Sequence, residues 1–418
     1  MIQQPSAFRP VPRTGVIFVT TEAVKKGYKP EDTSWCNLGQ GQPETVPLEQ
    51  GADRLTEITI PGDSYEYAPV PGLPELRDSV AQYYNSRFRS GMTSQYTADN
   101  VAICSGGRLA LARAALALGN IHLGHFLPDY TAYEELLTAF RIFTPIPIML
   151  DGTKQYAFSA QELENEIVGR GLGALLLSNP CNPTGKTLVG DELEAWVQTG
   201  RRLNCAMIFD EFYSHYVWKK GPGYDGGINT VAKYIQDVET EDTIIIDGLT
   251  KNWRYPGLRL SWTLGPKHVI DAIASAGSFL DGGACRPVQE AAIRLLNEES
   301  VDKERTAIQK VFGAKRDYLL QRLQKMGIQV DLPSEGSFYV WGRVNELPQG
   351  LNTDMLFFEK ALGEKIITVP GRFFDIDPGQ RRYGRRSRFD KYLRFSFGPA
   401  MPVLKLACDR LETMIQSA

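Results

Sequence analysis

The sequence predicts an α/β protein: a mostly parallel central sheet flanked by helices, joined to a smaller α+β domain. Two observations carry this. Short apolar runs alternate with helical stretches from about residue 73 to residue 246, the pattern of a sheet covered on both faces. The residues with chemical potential fall at or just after the ends of those runs, where open parallel sheets collect their ligands.

The elements follow in order. Leu73 to Phe88 reads as a helix, with Leu76, Val80, Tyr83 and Tyr84 at near-helical spacing. Val101 to Cys104 is a short strand running into Gly106-Gly107 and a helical stretch, Leu109 to Leu118. Phe140 to Leu150 is strand-like but broken by prolines. Ala174 to Leu177 is a strand ending in an Asn/Pro/Gly turn, followed by a helix over Leu193 to Leu203. Ala206 to Phe209 and Thr243 to Ile246 are the next strands. From about residue 310 an early helix precedes Gly336 to Trp341 and Leu393 to Phe397, the expected α+β domain. No Gly/Ser linker separates the parts, so the junction is expected to be a packed helix. The expected division is 1–60 joining the small domain, 61–305 as the large domain and 306–418 as the small C-terminal domain.

Composition bounds the function. The chain has 418 residues, 43% hydrophobic and 23% charged, with a net charge of −3. That supports a large core and argues against a protein that coats nucleic acid. The six cysteines form no C-x-x-C pair, which points to reduced thiols in a cytoplasmic setting. His122 and His125 stand three apart without a carboxylate-rich surround and read as structural; no metal is expected. Met1 to Arg13 lacks the apolar core of a signal peptide, and no run has the length of a membrane helix. Arg381, Arg382, Arg385, Arg386 and Arg388 read as a solvated loop, with a polyanion site as the sharper alternative.

The chemistry lies in a few strings. Lys251 sits in Asp247-Gly248-Leu249-Thr250-Lys251, soon followed by Pro256-Gly257 and Arg259. Asn179-Pro180-Cys181-Asn182-Pro183-Thr184-Gly185 could be an ordinary turn, and Asp210 in Phe209-Asp210-Glu211-Phe212-Tyr213 an ordinary helix cap. Ser105-Gly106-Gly107-Arg108 lies between a strand and a helix, where glycines admit close backbone approach and free N–H groups favour an anion.

Together these strings resemble the class I/II aminotransferases, fold type I enzymes dependent on pyridoxal phosphate (PLP), over Leu38 to Gly398. The resemblance implies that Lys251 forms the Schiff base with PLP and then acts as general base. It implies that Asp210 pairs with the pyridine nitrogen, and that Asn182 and Tyr213 donate to the ring oxygen. Lys251, Asp210 and Tyr213 are thus the expected catalytic set. Gly106, Gly107, Arg108 and Arg259 would hold the phosphate, and Tyr130 would stack on the ring. Tyr67, in Tyr67-Ala68-Pro69-Val70-Pro71-Gly72-Leu73, would cross to the phosphate of a partner subunit, implying a homodimer. Gly41 and Asn182 would meet the substrate, and Arg394 would grip its α-carboxylate. The implied reaction moves the amino group of an L-amino acid to a 2-oxo acid. A PLP-dependent lyase, synthase or oxidase/hydroxylase on the same frame is the alternative. A dinucleotide-binding protein is disfavoured, since no G-x-G-x-x-G follows a strand. Two positions depart from the family pattern: Gly248 and Gly283 stand where hydroxyl groups near the phosphate are common, and Thr250 or Arg108 would have to compensate. Asp281 reads as a turn or cap residue, with recognition of a cationic side chain as the alternative.

Overall fold

The structure is a computed structural model and describes residues 15–140, 142–382 and 384–418. The segment Met1 to Arg13, read above for a leader, lies outside the described residues.

The strands are β1 (Cys36–Asn37), β2 (Val101–Cys104), β3 (His122–Leu127), β4 (Thr144–Met149), β5 (Leu172–Ser178), β6 (Ala206–Asp210), β7 (Thr243–Gly248), β8 (Ser261–Leu264), β9 (Tyr339–Arg343), β10 (Ile366–Ile367), β11 (Val369–Pro370) and β12 (Tyr392–Ser396). Seven of them form the central sheet in the order β2-β8-β7-β6-β5-β3-β4. β5, β6 and β7 are nearly continuous apolar runs buried on both faces, which is what a covered parallel sheet requires. Within this sheet β8 alone is reversed, antiparallel to both β2 and β7. The carboxyl ends of β2, β3, β5, β6 and β7 therefore share one edge, and the start of β8 returns to it. Ser178 pairs with Asp210, Asp210 with Ile246, and Gly248 and Cys104 each with Ser261.

Helices α1 (Gly15–Lys25), α2 (Pro74–Phe88), α3 (Gly107–Ala117), α4 (Ala132–Ala139), α5 (Ala160–Arg170), α6 (Gly190–Arg202), α7 (Lys267–Leu280) and α8 (Arg286–Ile293) precede the 28-residue α9 (Glu298–Lys325). α9 leads from the central sheet to the antiparallel sheet β11-β12-β9. It buries two charges, each matched: Glu304 pairs with Arg254 Nε at 2.6 Å, and Lys315 with Glu44 at 2.5 Å. α10 (Asp354–Gly363) and α11 (Met401–Gln416) complete the chain, and β1 pairs in parallel with β10, so the N-terminal segment meets the C-terminal one. Among the described residues no helix is long and apolar enough to cross a membrane. All six cysteines are unpaired, and five are buried.

Two readings of charge gain detail. Asp281 is the cap and turn residue expected: it caps the end of α7 and accepts from the Gly283 N–H at 3.0 Å. It accepts from Arg113 Nε at 3.1 Å and closes a fork with that buried guanidinium, for which Gly277, lacking a Cβ, leaves room. The arginine run is a largely solvated loop that is also tied down by ion pairs. Arg382 and Arg388 close on the buried carboxylate of Asp375 at 2.6 and 2.7 Å, and Arg386 pairs with Asp390. These ion pairs fasten the segment before β12, while Arg381, Arg385, Arg386 and Arg388 remain exposed.

Candidate active site

The shared strand edge opens on a cavity of about 590 Å³. Asp210, the last residue of β6, and Lys251, three residues beyond β7, both line it. Burial pushes the Asp210 carboxyl up to about 6, against the pull of a Tyr133 hydrogen bond, the Phe212 N–H and the Lys251 charge. Tyr133 Oη donates to Asp210 Oδ2 at 2.8 Å. Lys251 Nζ donates to the Gly41 carbonyl. Burial, then Arg394, Arg259 and Arg108, push the Lys251 amine down to about 7, although Asp210 opposes them. A large neutral fraction near neutrality is what a nucleophilic amine needs.

Asn182 is placed by the turn after β5. Asn179 pins that turn by exchanging side-chain hydrogen bonds with the Leu188 backbone, at 2.9 and 3.1 Å. Gly185, at φ +72°, passes so close to Ser334 and the Gly336 carbonyl that a side chain would collide. Arg394, buried on β12, donates from Nη1 to Asn182 Oδ1 and from Nη2 to the Gly39 carbonyl, both at 2.9 Å. Its Nε is buried without a partner. Tyr213 Oη lies 3.0 Å from Tyr339 Oη. Tyr130 follows β3; its backbone N–H donates to Asp129 Oδ1 at 2.7 Å, and its hydroxyl accepts from Arg108 at 3.3 Å.

The anion cradle is equally local. Gly106, at φ +91°, caps α3, and the Arg259 guanidinium occupies the space a Cβ would need there. Gly107 similarly leaves room for the Phe212 ring. Arg259 precedes the reversed strand by two residues, so the antiparallel entry of β8 delivers its cation to the same edge. Gly248 has a steric cause: a Cβ would fall 2.5 Å from Ser261 Cα and 2.6 Å from the Leu260 carbonyl oxygen. Thr250 lines the cavity, and its hydroxyl is buried without a partner.

The sequence-derived residues Gly41, Gly107, Arg108, Tyr130, Asn182, Asp210, Tyr213, Lys251, Arg259 and Arg394 thus come together on one cavity. Tyr67 does not. It is 95% exposed, in the segment whose Ala68 to Val70 backbone packs beside Gly283. Two lining or supporting tyrosines were missed. Tyr133 had only its spacing from Tyr130 to mark it, on a helix that was not predicted, and Tyr339 lay hidden in an apolar strand.

The residues present fit PLP. A buried amine and a buried carboxylate face one space, a guanidinium packs on the glycine turn that starts α3, and a threonine hydroxyl on the cavity is unsatisfied, as a phosphate-bearing ring would need.

The family Aminotransferase class I and II matches residues 33–411. An aspartate aminotransferase of Sulfolobus acidocaldarius is 24% identical over 91% of this chain and 89% of its own. A probable N-succinyldiaminopimelate aminotransferase of Mycobacterium tuberculosis is 27% identical over 91% and 92%. The aspartate aminotransferase of Thermus thermophilus with maleate superposes with a TM-score of 0.77 at 20% identity, over 96% and 97% of the two chains. At that identity the likeness is one of fold.

Proposed function

The chain belongs to the class I and II aminotransferases, PLP-dependent enzymes that move an amino group from an amino acid to a 2-oxo acid, and from that membership we propose how its residues share the work. Bound PLP supplies an aldehyde that takes up amines covalently and a ring that draws electrons from the substrate Cα. Lys251 is the attachment point and, once released, the base that moves the Cα proton. Asp210 holds the positive charge on the ring nitrogen, and Tyr133 fixes the carboxylate's orientation. Asn182 and Tyr213 donate to the ring oxygen, and Tyr130 covers the ring face. Gly106, Gly107, Arg108, Arg259 and Thr250 receive the phosphate. Arg394, already oriented by Asn182 and Gly39, takes the substrate α-carboxylate as a fork, and Gly41 bounds the substrate space. One observation carries the reading. Asp210 ends β6, Lys251 follows the adjacent parallel β7, and both line the same cavity, as the two sides of one bound aromatic ring would require.

The active unit in this reading is a homodimer. Tyr65, Tyr67 and Phe279 are exposed aromatic side chains, apolar surface that a second copy would cover. The division at residues 60 and 305 is part of the same reading, supported by the β1–β10 pairing and by α9 as a packed connection. A cytoplasmic location is supported by the free cysteines.

Lys251→Ala tests the core of the proposal. The purified protein is expected to carry a yellow cofactor that borohydride fixes to the chain, and the variant to lose both the fixation and the transfer. Fixation persisting in the variant would refute the role of Lys251.

A further inference from the structure

Tyr339 opens β9 and is fully buried, yet its hydroxyl points at chemistry rather than at backbone. It lies 3.0 Å from Tyr213 Oη, and 3.7 Å from where a Cβ on Gly41 would stand, the glycine whose carbonyl accepts from Lys251. Its ring does a second thing. Ser396 pairs with Tyr339 and Arg394 with Trp341 across β12 and β9, so Arg394 is the diagonal neighbour on the sheet. The Arg394 guanidinium carbon sits 4.1 Å from the Tyr339 ring centroid. The cation in turn donates to Asn182 Oδ1 and Gly39 O.

We infer that Tyr339 is a positioning residue for the transfer: its hydroxyl donates to Tyr213 and thereby turns the Tyr213 proton toward the cavity, while its ring seats the Arg394 guanidinium. One side chain would then align both the donor to the cofactor's ring oxygen and the clamp on the substrate carboxylate. The inference rests on the PLP reading above and extends it.

The direction of the bond between the two phenols follows from their surroundings. Burial pushes both hydroxyls up, and the Arg394 charge pulls both back. The Arg394 cation stands against the Tyr339 ring, which draws charge from that phenol and favours it as the donor. Tyr213 Oη, having accepted, is left with its own proton free, and a hydroxyl that accepts a bond becomes a better donor. The charged groups around the pair are Arg394 from β12, Lys251 and Arg259 from the segment after β7, Arg108 from α3 and Asp210 from β6. A Tyr339→Phe change removes none of them.

The test reads the pH midpoint of the yellow absorption band of the PLP-loaded protein. Tyr339→Phe is expected to raise that midpoint by about half a pH unit, the scale of one modest hydrogen bond. In a Tyr213→Phe background the same change is expected to add nothing, since the effect travels through Tyr213. KM for amino donors stays as in the parent in Tyr339→Phe, which keeps the ring, and rises several-fold in Tyr339→Leu, which does not. An unmoved midpoint in PLP-loaded Tyr339→Phe, or a shift that persists without the Tyr213 hydroxyl, overturns the hydroxyl's role. An unchanged KM in Tyr339→Leu overturns the ring's. A parent protein that takes up no PLP would instead bring down the reading beneath both.

Discussion

The inner wall and the rim of the cavity are built on different principles. On the wall Asn182, Asp210, Tyr213, Lys251 and Arg394 are buried or nearly so, and each has at least one polar partner fixed by a strand end or a pinned turn. At the rim Val16, Thr20, Tyr28, Pro30, Asn37 and Gln40 are only partly covered and carry no formal charge. Their polar atoms are spent locally. Thr20 donates to its own helix at Val16 O, Asn37 donates to Tyr28 Oη at 3.3 Å, and Gln40 to Gln42 O at 3.1 Å. The difference teaches that the groups proposed for proton transfer and for the α-carboxylate are held by the scaffold. In the proposed function, choice among substrate side chains would fall to this uncharged edge.

The sharpest way to break that comparison is at Asp210. Asp210→Asn keeps the shape and loses the charge that would hold a proton on the ring nitrogen. The expected loss in kcat is about 10²- to 10³-fold, the scale of removing one preorganised electrostatic group, with PLP still bound. A near-normal rate would mean that the wall does not act through charge at this point. Arg394→Ala should be smaller and different in kind. A charge-assisted bond contributes roughly 1.5–3 kcal/mol, so kcat/KM should fall about 10- to 150-fold, mostly in KM, with the cofactor retained. An unchanged KM would take the carboxylate clamp off β12.

Much of the wall was legible in the sequence because its signals are contiguous. Asn179 to Gly185, Phe209 to Tyr213 and Gly248 to Arg259 each follow an apolar run, and a parallel sheet brings such ends to one edge. What was not legible depends on contacts between distant residues or on direction. The reversal of β8 leaves no trace in a four-residue apolar strand, since periodicity reports which side chains are buried and not which way the chain runs. Asp281 reads as a turn or cap residue, which it is, but its ion pair with Arg113, 168 positions away, leaves no local signal. Tyr133 and Tyr339 sit among other aromatic and apolar residues, where a tyrosine is ordinarily core. The departure at Gly248 was visible, but its cause, the close approach of Ser261 and Leu260, was not.

The rim was the least legible part, and it supplies the smallest effect. Apart from Gln40, in the Leu38 to Pro43 string, its residues carry no motif, and β1, which ends at Asn37, is placed by pairing with β10, as in the Cys36 to Ile366 register. Asn37→Ala removes one long, partly exposed hydrogen bond. At the low end of the range for such bonds, about 0.5 kcal/mol, the rate of transfer from any one donor should change by roughly two- to threefold. The informative quantity is the ratio between donors with polar and with apolar side chains, measured as kcat/KM for each. A neutral rim that selects should move that ratio while leaving the borohydride-fixed cofactor and the pH midpoint of its yellow band where they were. Should Asn37→Ala instead depress every donor alike by a hundredfold, the rim would have to be counted as part of the wall, because only a contact made in common by all substrates can act on all of them equally.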